Sequence, residues 1–440
     1  SGIPHSIHIF EREAKTGGKI FSASRDGFLC EAGPNGFLDS KPSTLELCKD
    51  LGLSDQLLRS NDSARKRFIY SEGSLHEIPI SPLRFFCSNL LSIKGRLRII
   101  GELWAKGPQP GSDPTIAEFG RRRLGSEAFY KLLDPMVAGV FAGDAEKLSL
   151  ASSFPRIAEL EKDYGSLIRA MLALKKKRSK ASSSTTGGPA GPGGTLTSFA
   201  KGLSMLTDKL ADHFDGHITR NAALEGINLE KTGFCLSFKG IEKFYCDCAI
   251  IAIPASDTAP VFARLDPSLA TLLESFEFAP VSVVGLGFRE RDIKCDLNGF
   301  GFLIPKKEKR RILGNLWSSS IFSNRAPLGS VLLRTMVGGA RSPELALLPE
   351  KEIVSLVRKE LRDLLNISAE PVFAQVFKWE RAICQYTVGH ANRLKKIDGR
   401  LRNTPGLFLA GNSYRGIAIN DCTLNAQIVS DQVVSFCLKS

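Results

Sequence analysis

The sequence predicts an α/β protein in which a parallel-stranded unit of the doubly wound kind, assembled from separated stretches of chain, carries an α+β region and a helical lobe. Three observations predict it. Residues 248–254, C-A-I-I-A-I-P, are a near-continuous apolar run stopped by proline, the pattern of a parallel strand buried on both faces. Residues 407–434 read as a short apolar strand, a break at Gly411 and a helix-compatible segment from Thr423 onward. Residues 280–336 instead alternate apolar runs with turns, which predicts a multistranded, mostly antiparallel sheet. With 440 residues and 43% hydrophobic content, the chain has material for two or three domains.

Taken in order, residues 6–11, S-I-H-I-F-E, form a short strand ending in a carboxylate, followed by Lys15-Thr16-Gly17-Gly18-Lys19. In a dinucleotide-binding βαβ unit the acidic residue ending the second strand accepts hydrogen bonds from ribose hydroxyls, a role open to Glu11. The G-x-G-x-x-G loop that opens such a unit about twenty residues earlier has no counterpart here, and the first residue is Ser1. A fragment, a processed product or a mispredicted start, with weak cofactor retention, is therefore expected. Glu31-Ala32-Gly33-Pro34-Asn35-Gly36-Phe37 is a tight turn after an alternating segment, and residues 44–53 are a short helix stopped at Gly52. Residues 68–79 read as strand–turn–strand about Glu72-Gly73. The basic run Arg65-Lys66-Arg67 stands just before them, as a solvated charge run or as a clamp for a substrate carboxylate, which guanidinium pairs bidentately.

From residue 81 to about 177 the pattern is helical. Ile93, Leu97, Ile100 and Trp104 recur at three or four residues and mark one amphipathic face, packed in a core or turned toward a membrane. Residues 175–195, K-K-K-R-S-K and then Ser, Thr, Gly and Pro, are expected to be a mobile linker whose basic half touches anionic lipid or is simply solvated. Residues 196–214 read as a helix, 216–253 as alternating strands, and 350–365 as an amphipathic helix.

Bulk properties narrow the function. No run of about eighteen uncharged apolar residues is present, so no membrane span is expected. Ten cysteines without a C-x-x-C pair fit a reduced, cytoplasmic chain, and six scattered histidines give no metal-ligand spacing. The net charge of +13 invites an anionic partner. With no nucleic-acid module in sight, a polycarboxylate substrate or an anionic membrane surface fits better than nucleic acid. The oligomeric state is not specified.

Several motifs resemble the flavin amine oxidoreductase superfamily, and within it the oxygen-dependent protoporphyrinogen/coproporphyrinogen oxidases. Residues 407–427, L-F-L-A-G-N-S-Y-R-G-I-A-I-N-D-C-T-L-N-A-Q, are similar to its A-G-x-S-Y-x-G-x-x-I/P-x-D-C segment. Residues 11–18 resemble E-x-x-x-R-x-G-G, with Lys15 replacing the usual arginine, and 31–37 resemble E-x-G-P-x-S-F. Residues 139–149 and 164–168 follow S-G-V-Y-A-G-D-x-x-K-L-S and Y-G-S-L-I, and 379–390 match a further signature with Cys384 where proline is usual.

The resemblance implies a Rossmann-like FAD-binding domain, N-terminally truncated, from 1–45, 196–265 and 371–440. It implies an α+β substrate domain from 46–80 and 266–370, a helical substrate- and membrane-facing lobe at 81–180, and a Gly/Ser/Pro-rich linker at 181–195. FAD is implied at Glu11, Lys15, Gly17, Gly18, Gly33, Pro34, Asn35, Trp379, Gly411, Gly416, Ile417 and Asp421. A substrate carboxylate is implied at Arg67 and the substrate ring at Leu303, Leu316 and Met336. The implied activity is oxidation of a porphyrinogen, protoporphyrinogen IX or coproporphyrinogen III, to the porphyrin with oxygen, in haem biosynthesis. An amine oxidase, a carotenoid desaturase or a non-catalytic homologue are the alternatives. No catalytic acid or base is assigned, and peripheral contact with the inner face of a membrane is the expected exception to a cytoplasmic location.

Overall fold

A seven-stranded sheet is the largest element of the computed structural model, which describes residues 5–79, 88–180 and 194–439. From edge to edge it runs Phe373–Cys384, Phe278–Arg289, Ser330–Gly338, Ile312–Trp317, Gly301–Leu303, Phe68–Ser71 and Ser74–Glu77. All neighbours are antiparallel except Gly301–Leu303 and Phe68–Ser71, which run parallel. The sheet thus extends beyond 266–370 at both edges, and Trp379 stands on its outer strand, paired with Val281.

Side chains of a strand alternate between faces, and this alternation decides what the sheet does. On Phe278–Arg289, Val284, Leu286 and Phe288 face the helix Glu350–Leu365, which buries Ile353, Val357 and Leu361 at helical spacing. Val281 and Val283 point the other way, toward Met336 and Trp379. One face is therefore core. The other is left to line a cavity.

The parallel-stranded part consists of two pairs, Ile9–Phe10 with Ile218–Thr219 and Ala249–Ile251 with Leu407–Leu409. Leu407–Leu409 leads through Gly411 into the helix Ile419–Cys437. That helix is tied to the helix Pro42–Asp50 by hydrogen bonds between Thr423 and Thr44 and from Ser43 to the Asn420 carbonyl. A three-stranded antiparallel meander, Leu224–Leu229, Phe234–Phe238 and Ile241–Cys246, closes this side.

Two sequence expectations are corrected. Residues 196–214 are not one helix: Leu196–Phe199 is a strand that pairs with Phe37–Leu38 and Leu57–Arg59, and the helix starts only at Ser204. Leu-Thr-Ser-Phe between glycines suits a pleated, buried strand better than a helix, and three of its four residues are buried. The basic run 175–180 is not linker but the last part of the helix Leu167–Lys180. Most of the expected linker, 181–193, lies outside the described residues.

The lobe at 93–180 is helical as read. A buried charge cluster fixes it. Arg123, fully buried, donates to Glu161 at 2.5 Å and to Glu102 at 3.2 Å, while Glu102 also accepts from Ser166 and from the backbone N–H of Leu167 and Ile168. A buried carboxylate at a helix N-terminus is favoured by the unpaired N–H groups there. The apolar stripe on Ile93–Ile100 and its continuation Gly101–Trp104 is not core: Ile93, Leu97 and Trp104 are 73%, 62% and 75% exposed.

Candidate functional site

A single cavity of about 3460 Å³ runs between the free face of the large sheet, the helical lobe and the two parallel strand pairs. Glu11 and Lys15 line it, as do Gly17, Gly18, Gly33, Pro34 and Asn35. Trp379, Gly411 and Ile417 complete this end, and Arg67, Leu303, Leu316 and Met336 line the other walls. Gly416 and Asp421 are not on the wall. Asp421 lies in the first turn of Ile419–Cys437, accepts from the Ala418 N–H and pairs with Lys41 at 2.6 Å, so its carboxylate caps a helix.

The turn 31–36 is the best-held part of the wall. Trp379 Nε1 donates to the Ala32 carbonyl at 2.8 Å. Arg334 Nε donates to the Glu31 carbonyl at 2.9 Å and its terminal nitrogen to the Gly33 carbonyl. Glu31 itself is buried, accepts from Ser22 at 2.6 Å and from the Leu203 N–H, and pairs with Arg325 at 3.4 Å. Burial raises the Glu31 carboxyl above its usual range and lowers the Arg334 guanidinium. It also pushes the Cys30 thiol up to about 11. At Gly33 a Cβ would sit 2.1 Å from the Lys19 carbonyl, so only glycine lets the two backbones meet there.

The second wall segment is 411–417, where Gly411 has φ +106°. Tyr386 holds it, donating to the Asn412 carbonyl and accepting from the Gly416 N–H, both at 2.8 Å. His390 stacks on Tyr386 at 4.0 Å, and its Nε2–H donates to the Tyr414 carbonyl at 2.8 Å. Burial lowers the His390 pKa to about 4. Nδ1 has no hydrogen-bond partner, so nothing there favours a second proton, consistent with a neutral imidazole that donates through Nε2.

These features fit a dinucleotide-type cofactor. Glu11 stands at the carboxyl end of Ile9–Phe10, where ribose hydroxyls are met in parallel α/β units. Gly33 and Gly411 bring backbone to the cavity wall. Asn35 Nδ2 is a buried donor with no partner in the protein, as is expected where a ligand acceptor belongs.

At the sheet end the chemistry changes. Arg67 precedes the strand Phe68–Ser71, lies 5.0 Å over the Phe300 ring and faces the cavity, with no ion-pair partner among the described residues. Surrounding protein lowers its pKa by desolvation. Leu303, Leu316 and Met336, one on each of the next three strands of the sheet, are half-buried on the cavity wall. A free guanidinium above an apolar floor suits a flat, carboxylate-bearing molecule.

Two wall residues escaped the sequence reading. Lys19 follows the double glycine, lies 5.8 Å over Phe278, and has its pKa lowered by burial. Arg334 interrupts the apolar strand V-L-L-R-T-M, and that interruption was the available signal.

Comparison with known proteins places this geometry. The model of the family described as flavin containing amine oxidoreductase matches residues 1–434. The chain is 33% identical to the chloroplastic protoporphyrinogen oxidase of Nicotiana tabacum, over 98% of this chain and 81% of that protein. It is 30% identical to the coproporphyrinogen III oxidase of Bacillus subtilis, over 96% and 90%. A solved structure from Exiguobacterium sp. 255-15 superposes with a TM-score of 0.82 at 24% identity, covering 98% of this chain and 93% of that one, and reduced UDP-galactopyranose mutase with 0.70 at 14%, covering 98% and 87%. Matched along nearly its whole length, the chain belongs to the flavin containing amine oxidoreductase family.

Proposed function

We propose that this chain is an FAD-dependent oxidase that converts a porphyrinogen to the porphyrin with oxygen as electron acceptor, in haem biosynthesis. The observation that carries the reading is the cavity's division: a glycine-rich wall with the unpartnered Asn35 Nδ2 at one end and the free Arg67 guanidinium over an apolar floor at the other. FAD, when bound, accepts the two electrons of each oxidation step. The residues that would hold it are Glu11 at the ribose, the Gly17–Gly18 and 33–35 backbone, Asn35, and the 411–417 segment. Arg67 binds a propionate, and Leu303, Leu316 and Met336 hold the ring and exclude water from it. An amine substrate would meet a like charge at Arg67, which disfavours the amine oxidase reading.

The test is direct. Flavin-loaded protein mixed with protoporphyrinogen IX or coproporphyrinogen III in air generates fluorescent porphyrin and hydrogen peroxide. Loaded protein that produces neither with both substrates overturns the proposal.

The same reading extends to a peripheral membrane contact. Ile93, Leu97, Ile100 and Trp104 present an exposed apolar stripe with Lys94 beside it, the composition of an interfacial helix. No helix among the described residues is long and apolar enough to cross a membrane.

A further inference from the structure

The two parallel strand pairs are separate sheets, and both open onto the same cavity. On the first, the Ile9 and Glu11 N–H groups donate to the His217 and Thr219 carbonyls at 2.8 and 2.9 Å, so the Phe10 N–H and C=O point away from that pair. On the second, the Ala249 N–H donates to the Gly406 carbonyl at 2.9 Å, and the Ile251 carbonyl accepts from Ala410 at 3.0 Å. The main chain of Ile250 therefore points away in the same manner. Phe10 and Ile250 both line the cavity, and among the described residues no main-chain partner meets either of these sides.

Arg12, just past the first strand, pairs at 3.4 Å with Asp257 in the helix Ala255–Phe262 that follows the second. The carboxyl ends of the two strands thus lie side by side, and both strands run in one sense. Two strands with one place left between them stand about 9.5 Å apart, twice the usual spacing, a gap that an extended arginine and a carboxylate can bridge. The surroundings are apolar. Phe238 and Phe244 of the meander and Val429 and Val433 of Ile419–Cys437 line the cavity here, with Ile250 itself 49% exposed. At about 3460 Å³ the cavity also exceeds the roughly 300–1,000 Å³ of an ordinary ligand pocket.

We propose that this gap is a docking slot for one extended apolar peptide, supplied in trans, which seats between Ile9–Phe10 and Ala249–Ile251, parallel to both, and joins the two pairs into one sheet. A two-stranded sheet is marginal by itself, and parallel strands are normally found inside larger sheets. The unpaired N–H and C=O groups on both sides call for a strand, because only another main chain meets them in alternation. A parallel neighbour needs a crossover of a dozen or more residues, so a simple turn from either strand cannot fill the place. The slot goes beyond the oxidase reading and does not depend on it.

The probe is the fluorescein-labelled peptide Lys-Lys-Val-Ile-Val-Val-Gly, whose lysines keep it soluble. Its control carries N-methyl groups on the isoleucine and the last valine, which deletes main-chain donors and keeps the apolar side chains. Fluorescence anisotropy is expected to show saturable one-to-one binding that weakens at least about tenfold for the control. Hydrogen exchange is expected to slow at Phe10 and Ile250 when the peptide is bound. Ile250→Pro removes the donor facing the gap and spares the bonds of Ala249 and Ile251, so it too is expected to weaken binding at least about tenfold. If that variant does not fold, the methylated peptide decides. Absence of saturable binding, equal binding of the two peptides, or protection confined to other segments overturns the proposal. A dimer from which the peptide is excluded also overturns it, since the gap is then filled by a second copy.

Discussion

Arg67 and Arg334 are two cavity arginines in opposite situations, and they separate substrate effects from cofactor effects. Arg67 has no ion-pair partner among the described residues and its side chain is exposed; once bound substrate covers it, a charge-assisted hydrogen bond to a carboxylate contributes about 1.5–3 kcal/mol. Arg67→Ala is therefore expected to lower kcat/KM by roughly ten- to a hundredfold, with flavin content, read from the absorbance ratio of purified protein, unchanged. Arg334 is buried and holds the Glu31 and Gly33 carbonyls. Arg334→Met leaves both acceptors unpaired at a cost of about 1–3 kcal/mol each, so a lower urea midpoint and reduced flavin occupancy are expected, with partial rescue by Arg334→Lys. Normal occupancy and stability in Arg334→Met would show that the turn holds itself. That Arg67 precedes a strand was legible from the basic run before Phe68, and its place on the cavity wall came only with the fold. Arg334 was not, because sequence pattern reports that a strand is buried but not which charge its neighbours, some 300 residues away, require. Asn420 donates to the Leu38 carbonyl and so joins the last helix to the strand that follows the turn.

At the level of elements, the helix His390–Leu401 is docked through its first residue. His390 is neutral in the native state because burial lowers its pKa from 6.5 to about 4. As pH falls from 6.5 toward 4 the unfolded chain gains a proton that the native chain does not, so stability falls across that window and is fully present above it. The full loss approaches about 3 kcal/mol, at about 1.4 kcal/mol per pH unit. Thermal melts between pH 7 and 4 are expected to show a steeper fall in Tm for wild type than for His390→Gln; parallel curves would remove His390 as the cause. Elements were read from sequence where one periodicity dominated, as in Glu350–Leu365 and the strands of the large sheet. Leu196–Phe199 was misread because four residues are too few for a period to show, and its strand character comes from its partners on either side. The stripe from Ile93 to Trp104 was seen, but periodicity gives a face without saying what it faces.

For the whole molecule, the outward stripe and the basic composition combine into one prediction. Sedimentation with anionic liposomes at low salt is expected to carry down a fraction of the protein and to weaken as salt is raised, since each surface cation near such a membrane contributes about 1 kcal/mol. Trp104→Glu should abolish it, because a charge replaces the anchoring ring; equal binding by the variant would rule out this helix as the contact. The proposed cofactor and substrate ends could be drawn from motifs, but the cavity's charge map could not, because it depends on which cations find partners after folding. The bond from Trp379 to Ala32 spans 347 positions of chain. At about 5–20 residues per second of synthesis, roughly 20–70 s separate the birth of the turn from that of the strand that holds it. Through that interval on the ribosome the proposed flavin pocket lacks a wall, so cofactor capture is expected to wait for the C-terminal quarter of the chain, with the N-terminal segments exposed to chaperones and proteases meanwhile.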